Sequence, residues 1–112
     1  MNNQSVFDVI IDLTRRRILA LLLGEGELCV CELMCALDEI QPKVSRHLSV
    51  MRDAGLVTMR REGTWVFYRI APSRPAWVCK LLEILSAAAV TELSADRARL
   101  KKMAGRPERA AA

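Results

Sequence analysis

Apolar residues recur at helical spacing over most of this chain. In QSVFDVIIDL, residues 4–13, they fall along one face of a predicted helix. A second helix is predicted over RRRILALLL, with Thr14 as its N-cap and Gly24 as its stop. A third covers about 30–38, where Val30, Leu33, Met34 and Leu37 repeat at i, i+3, i+4 and i+7. A fourth starts at Pro42, a residue that loses nothing in a first turn because the N–H it lacks has no helical partner there. Gly55 closes that helix, and Val44, Leu48 and Met51 form its inner face. The pattern then changes. LVTMRREGTWVFYRI reads as a β-hairpin, with strands at 57–59 and 65–70 rich in β-branched and aromatic residues and a turn at Arg61-Glu62-Gly63-Thr64. Pro72 and Pro75 break the chain. One long helix is predicted from about 75 to near 103, with Trp77, Leu81, Leu82, Leu85 and Ala88 on its apolar side. Residues 104–112, AGRPERAAA, read as a disordered tail.

Residues 1–103 therefore read as one domain, mostly α with a β-hairpin. Two short helices joined by a tight turn and followed by a basic hairpin make a winged helix-turn-helix. At 112 residues the core is small, so association into a dimer would help it. The apolar stripe over 77–88 is the motive for a symmetric dimer held by the first and last helices. Hydrophobic residues make up 52% and aromatics only 4%, which favours an aliphatic, helix-rich core.

Net charge is +4, with pI about 9.2, which permits a nucleic-acid or anionic-membrane partner. The apolar run ILALLLG at 18–24 is too short to cross a bilayer. Arg15, Arg16 and Arg17 precede it and no small-residue cleavage site follows, so it does not read as a signal peptide. A cytoplasmic protein without a membrane partner is expected, with its four cysteines as thiols.

On the fourth helix Ser45, Arg46 and Ser49 point away from the apolar face, and Gln41 and Lys43 lie at its start. Arg and Lys suit guanine O6 and N7, Gln suits adenine, and Ser takes a base or a phosphate. A helix N-terminus itself attracts phosphate. Arg60 and Arg61 flank the hairpin tip, suited to phosphates or a minor groove. The plainer reading of any one of these residues is a solvated basic face; their order along the chain favours double-stranded DNA. His47, the only histidine, sits at the flank of the apolar face and reads as a packing or phosphate-contacting residue rather than a catalyst.

Three cysteines, Cys29, Cys31 and Cys35, fall within seven residues. On a helix Cys31 and Cys35 would hold their Cβ atoms about 5–6 Å apart, on a face turned from Val30, Leu33 and Leu37. Cys29 precedes the helix and can fold over its first turn, where the helix N-terminus lowers a thiol pKa. Three thiolates without a nearby imidazole select a soft ion. Zinc would want a fourth ligand, whereas trivalent arsenic or antimony suits three thiolates because its lone pair takes the fourth direction. The plainer reading is small, semi-buried hydrophobes, which is also the expectation for Cys79. No C-x-x-C pair, no Cys–His–Asp/Asn set and no phosphate loop is present, which argues against a thiol enzyme.

The segments ELCVCEL, ALD, QPKVSRHL, MRDAGLV, REGTWVFYRI and PAWV together resemble the ArsR/SmtB family of metal-sensing repressors, especially its arsenite-responsive members, over about 10–80. The resemblance implies a homodimeric repressor that holds an operator and leaves it when As(III) or Sb(III) binds, with no organic cofactor. It also implies a C-V-C-x-x-C thiol site at the start of the helix before the recognition helix. Cys29 and Cys31 match its first two positions; the third falls on Met34, and Cys35 is one residue later. Positions 34 and 35 lie about 60° and about 40° around a helix from position 31, so Met34 is expected to pack inward while Cys35 serves as ligand. The family's second metal site, a His/Asp/Glu set on the last helix, has no histidine here to build it, and residues 1–28 hold none of the extra cysteines of cadmium and lead sensors. The alternatives are a cadmium/lead or thiol-redox/persulfide sensor on the same scaffold, a thiol enzyme of arsenic handling, or an architectural DNA-binding module with incidental cysteines.

Overall fold

A helix opens the chain: α1 (Asn3–Ile10) is capped by the Asn2 side chain, whose Oδ1 accepts from the N–H groups of Gln4 and Ser5. It leads to α2 (Leu13–Glu25), β1 (Glu27–Cys29), α3 (Val30–Leu37), α4 (Gln41–Asp53), β2 (Val57–Glu62), β3 (Trp65–Ile70), α5 (Ala76–Ala88) and α6 (Val90–Lys101). This computed structural model describes residues 1–109.

The second helix begins earlier and ends later than its sequence suggests. Asp12, not Thr14, is the cap, with Oδ1 3.1 Å from the Arg15 N–H. The helix runs through Gly24, where the Arg97 guanidinium occupies the space a Cβ would fill. Gly26, at φ 90°, ends it, and its N–H donates to the Leu22 carbonyl. Ile18, Leu19, Leu21 and Leu22 are all buried, so α2 is the central post of the core. The inner face of α4 is as expected: Val44, Leu48 and Met51 are fully buried.

The hairpin is part of a three-stranded sheet in the order β1-β3-β2. β1 pairs antiparallel with β3, placing Glu27 opposite Arg69 and Cys29 opposite Phe67. Three residues are too short to show strand periodicity, and their partner is distant in sequence, so β1 had no local signal. β2 continues to Glu62, opposite Trp65, which leaves a turn of only Gly63 and Thr64, with Gly63 at φ 61°.

The long final helix is two helices. The chain turns at Ala89 (φ −101°, ψ 25°), with neither Gly nor Pro to force it. Packing is the cause. α5 lies on α2 through Val78 and Leu82, while α6 lies on α3 and brings Asp96 and Leu100 into the interior. A straight helix would lose one of these contacts. Residues 104–109 have no helix or strand, and Arg106 and Arg109 reach back to the start of α3. The rest of the tail lies outside the described residues.

Phe7 and Trp77 remain exposed on α1 and α5, with ring centroids 6.1 Å apart; Ile11 and Ile84 are exposed as well. Among the described residues no helix is long and apolar enough to cross a membrane.

Candidate nucleic-acid interface and thiol site

The helices α3 and α4, with the β2–β3 hairpin after them, form a helix-turn-helix with a wing. On α4 Gln41, Lys43, Arg46 and Ser49 are exposed and Ser45 is half-buried. The N-cap, Ile40, is extended and offers no side-chain acceptor, so the first N–H groups of α4 point outward without a capping side chain. Lys43 also meets Glu39 at 2.9 Å. His47 lies inside this face: the Arg15 Nε donates to its Nδ1 at 3.1 Å, and Asp12 lies 3.9 Å from its Nε2. Burial lowers its pKa, reinforced by Arg15, Lys43 and Arg46 and opposed by Asp12. His47 thus ties the start of α2 to the outward face of α4.

The two wing arginines differ. Arg61 is exposed and enters none of the ion pairs among the described residues. Arg60, also expected at the DNA, is half-buried and engaged by neighbouring side chains. Its guanidinium binds the Glu27 carboxylate, meets Glu62 at 2.8 Å and lies 4.8 Å from the Phe67 ring centroid. Its hydrogen bonds to Glu27 raise its pKa, and in return hold the Glu27 carboxyl below its usual range.

The three thiols occupy three environments. Cys29 ends β1 and caps α3; it is 2% exposed, and its N–H donates to the Glu32 Oε1 at 3.0 Å. Burial first, and then the Glu32 carboxylate, push its thiol pKa up, outweighing the Glu32 N–H that favours thiolate. This reverses the lowering expected from a helix N-terminus alone. Cys31 is exposed. Cys35 is half-buried, with Sγ 3.5 Å from the Arg99 carbonyl. Cys31 and Cys35 open onto one shallow hollow of about 440 Å³, lined also by Met34, Asp38, Glu39 and Ile40. Met34 packs against the core, as its place on the apolar stripe implies. Among the described residues no three His, Cys, Asp or Glu side chains converge as a metal cluster. Cys79 is half-buried on α5.

Two buried carboxylates frame α3, and sequence reasoning singled out neither. At its start Glu32 is fully buried, with Oε2 2.7 Å from the Arg106 Nε and Oε1 bound by the Arg109 Nη2. At its end Asp96 is fully buried and accepts from Arg17 and Arg99, each at 2.6 Å. Arg99 Nε also donates to the Ala36 carbonyl and Arg17 Nη2 to that of Leu37, satisfying the last carbonyls of the helix. A local signal existed for Glu32, since a Glu at the third helical position commonly reaches back to the cap N–H. Its arginine partners lie too far along the chain for any spacing rule.

Residues 12–59 match the family described as "Bacterial regulatory protein, arsR family". Over 104 residues, 93% of this chain and 90% of the relative, the sequence is 48% identical to the "Arsenic resistance transcriptional regulator ArsR2" of Pseudomonas putida. It is 49% identical over 78 residues, 70% of this chain and 67% of the relative, to the "Arsenical resistance operon repressor" of Escherichia coli. Among solved structures, HlyU from Vibrio cholerae superposes with a TM-score of 0.69 at 30% identity, over 80% of this chain and 92% of that one. The transcriptional repressor BigR from Xylella fastidiosa gives 0.65 at 28% identity, over 76% and 83%. With a wing, an outward-facing basic helix and this degree of likeness, the chain belongs to the arsR family of bacterial regulatory proteins, DNA-binding transcriptional regulators rather than enzymes.

Proposed function

We propose that this protein is a metalloid-responsive repressor of the cytoplasm, which holds an operator as a homodimer and releases it when As(III) or Sb(III) bonds its thiolates. One observation carries the reading: the hollow shared by Cys31 and Cys35 includes Asp38, Glu39 and Ile40, the turn that enters α4. A bond across those two thiols therefore pulls on the N-terminus of the helix that reads DNA. The names of the relatives from Pseudomonas putida and Escherichia coli support arsenic as the inducer. The donors suit it as well, since the ion is soft and thiophilic and no imidazole competes nearby. Cys31 and Cys35 are accessible; Cys29 has to leave its buried position to become the third ligand.

At the operator Gln41, Lys43, Ser45, Arg46 and Ser49 face the major groove, and Arg61 takes a phosphate. Arg60 braces the wing that carries it. The exposed Phe7, Ile11, Trp77 and Ile84 form the subunit contact.

X-ray absorption at the arsenic edge, with operator release measured in parallel, tests the ligand set. Three sulfur neighbours are expected in the wild type and two in Cys35→Ser, with weaker binding. Cys29→Ser and Cys31→Ser should fold, bind operator and stay bound in arsenite. A wild type with two sulfurs and an oxygen removes Cys35 from the set. Three sulfurs that persist in Cys35→Ser point to Cys79. Release by cadmium or by an oxidised thiol, but not by arsenite, overturns the metalloid reading.

A further inference from the structure

A buried carboxylate needs cations beside it, and Glu32 takes both of its own from the segment after α6. That segment reverses direction at Gly105, whose φ of 71° is the left-handed region a glycine adopts without strain. Arg106 then binds one oxygen of Glu32 and Arg109 the other. The oxygen bound by Arg109 also accepts the Cys29 N–H.

Arg109 reaches further. Its Nη1 donates to the Glu27 carbonyl at 3.2 Å, and its guanidinium carbon lies 4.6 Å from the Phe67 ring centroid. Phe67 is the register partner of Cys29, so the two side chains stand on the same face of the sheet. β1 is an edge strand, and a carbonyl of that strand is occupied by this segment. The segment thus grips Cys29 through the backbone before it, the carboxylate that holds its N–H, and the ring beside it. Cys29 is buried here while Cys31, two residues on, is exposed.

We propose that residues 103–109 form a clasp that positions and shields the Cys29 thiol, and that the clasp opens before this thiol bonds a metalloid. The proposal rests on the reading of Cys29 as a ligand. Arg106 and Arg109 are positioning residues: they act through Glu32 and touch no ligand. Removing both cations leaves an unpaired charge on a buried carboxylate, so the closed state is held by the two arginines together. The far end of α3 stays fixed by Asp96, Arg17 and Arg99, so opening frees the start of the helix and not its end.

The test uses the full chain with Arg106 and Arg109 both changed to Ala, and a second variant with both changed to Lys. Maleimide labelling is read cysteine by cysteine by mass spectrometry, with Cys31 as the internal reference. In the alanine variant Cys29 should label about tenfold faster or more while Cys31 keeps its rate, because labelling of a shielded thiol follows the population of the open state. The lysine variant keeps the charge but loses the forked geometry, and should fall between. An unchanged Cys29 rate overturns the clasp. So does equal acceleration at all four cysteines, which would make the arginines general supports of the fold. Arsenite titration separates the two readings. Faster labelling with tighter arsenite binding supports both; faster labelling with unchanged arsenite affinity keeps the clasp and overturns Cys29 as a ligand.

Discussion

Arg60 on the wing grips Glu27 on β1, with its Nε 2.9 Å from the Glu27 Oε2. The pair joins the wing to the strand that ends at Cys29, so the hairpin and the start of the thiol-bearing helix form one braced unit. Arg60 and Arg61, adjacent in sequence, are therefore expected to have opposite duties.

Arg60→Ala should lower the melting temperature and leave the salt dependence of DNA binding intact. Arg61→Ala should leave the melting temperature intact, weaken binding to all sequences alike and reduce the salt slope by about 1. Arg46→Ala should instead cost about 1–3 kcal/mol on the specific site alone, if it reads a guanine. Melting curves and binding isotherms at several salt concentrations check all three. Equal flattening of the slope by Arg60→Ala would end the division of roles.

The exposed Phe7–Trp77 pair predicts the assembly. Sedimentation velocity should show a dimer at micromolar concentration and a monomer for Trp77→Glu, with operator affinity lost alongside. A two-fold dimer should favour an inverted repeat with half-sites about one helical turn apart. A wild type that sediments as a monomer contradicts the expectation.

Asp96→Ala should destabilise the fold by about 3 kcal/mol, the lower end of the cost of breaking a buried ion pair, because Arg17 and Arg99 both reach solvent. It also unfastens the end of α3, since the same arginines hold the Ala36 and Leu37 carbonyls. Urea denaturation measures the loss, and hydrogen exchange at α3 should rise more than at α4.

His47 predicts a pH effect with a definite sign. Its pKa is lower in the fold than the ordinary 6.5, chiefly through burial. The unfolded chain therefore binds the proton first, and stability falls as pH drops from above 6.5 toward the folded pKa. Between pH 7.5 and 5.5 the wild type should lose more thermal stability than His47→Gln. Identical losses would show that His47 has no part in it.

The sequence by itself determined what depends on near neighbours. Pro42, Val44, Leu48 and Met51 specify the start and inner face of α4, because a helix repeats every 3.6 residues and its signals lie within a few turns. The β-branched and aromatic run around Gly63 specifies the hairpin in the same way, as its two strands meet across two residues. The cysteine cluster and the outward basic face are legible too, because each lies within one short stretch of chain.

Tertiary structure alone decided the rest. β1 exists because β3 supplies its hydrogen bonds from beyond α3 and α4. The turn at Ala89 exists because α2 and α3 each bury one of the helices it separates. Glu27 and Glu32 find their cations because the fold brings Arg60, Arg106 and Arg109 to them, around the buried Cys29. A spacing rule reports only what one helix or hairpin can bring together, whereas a buried charge takes whichever partner the folded chain places within hydrogen-bond reach.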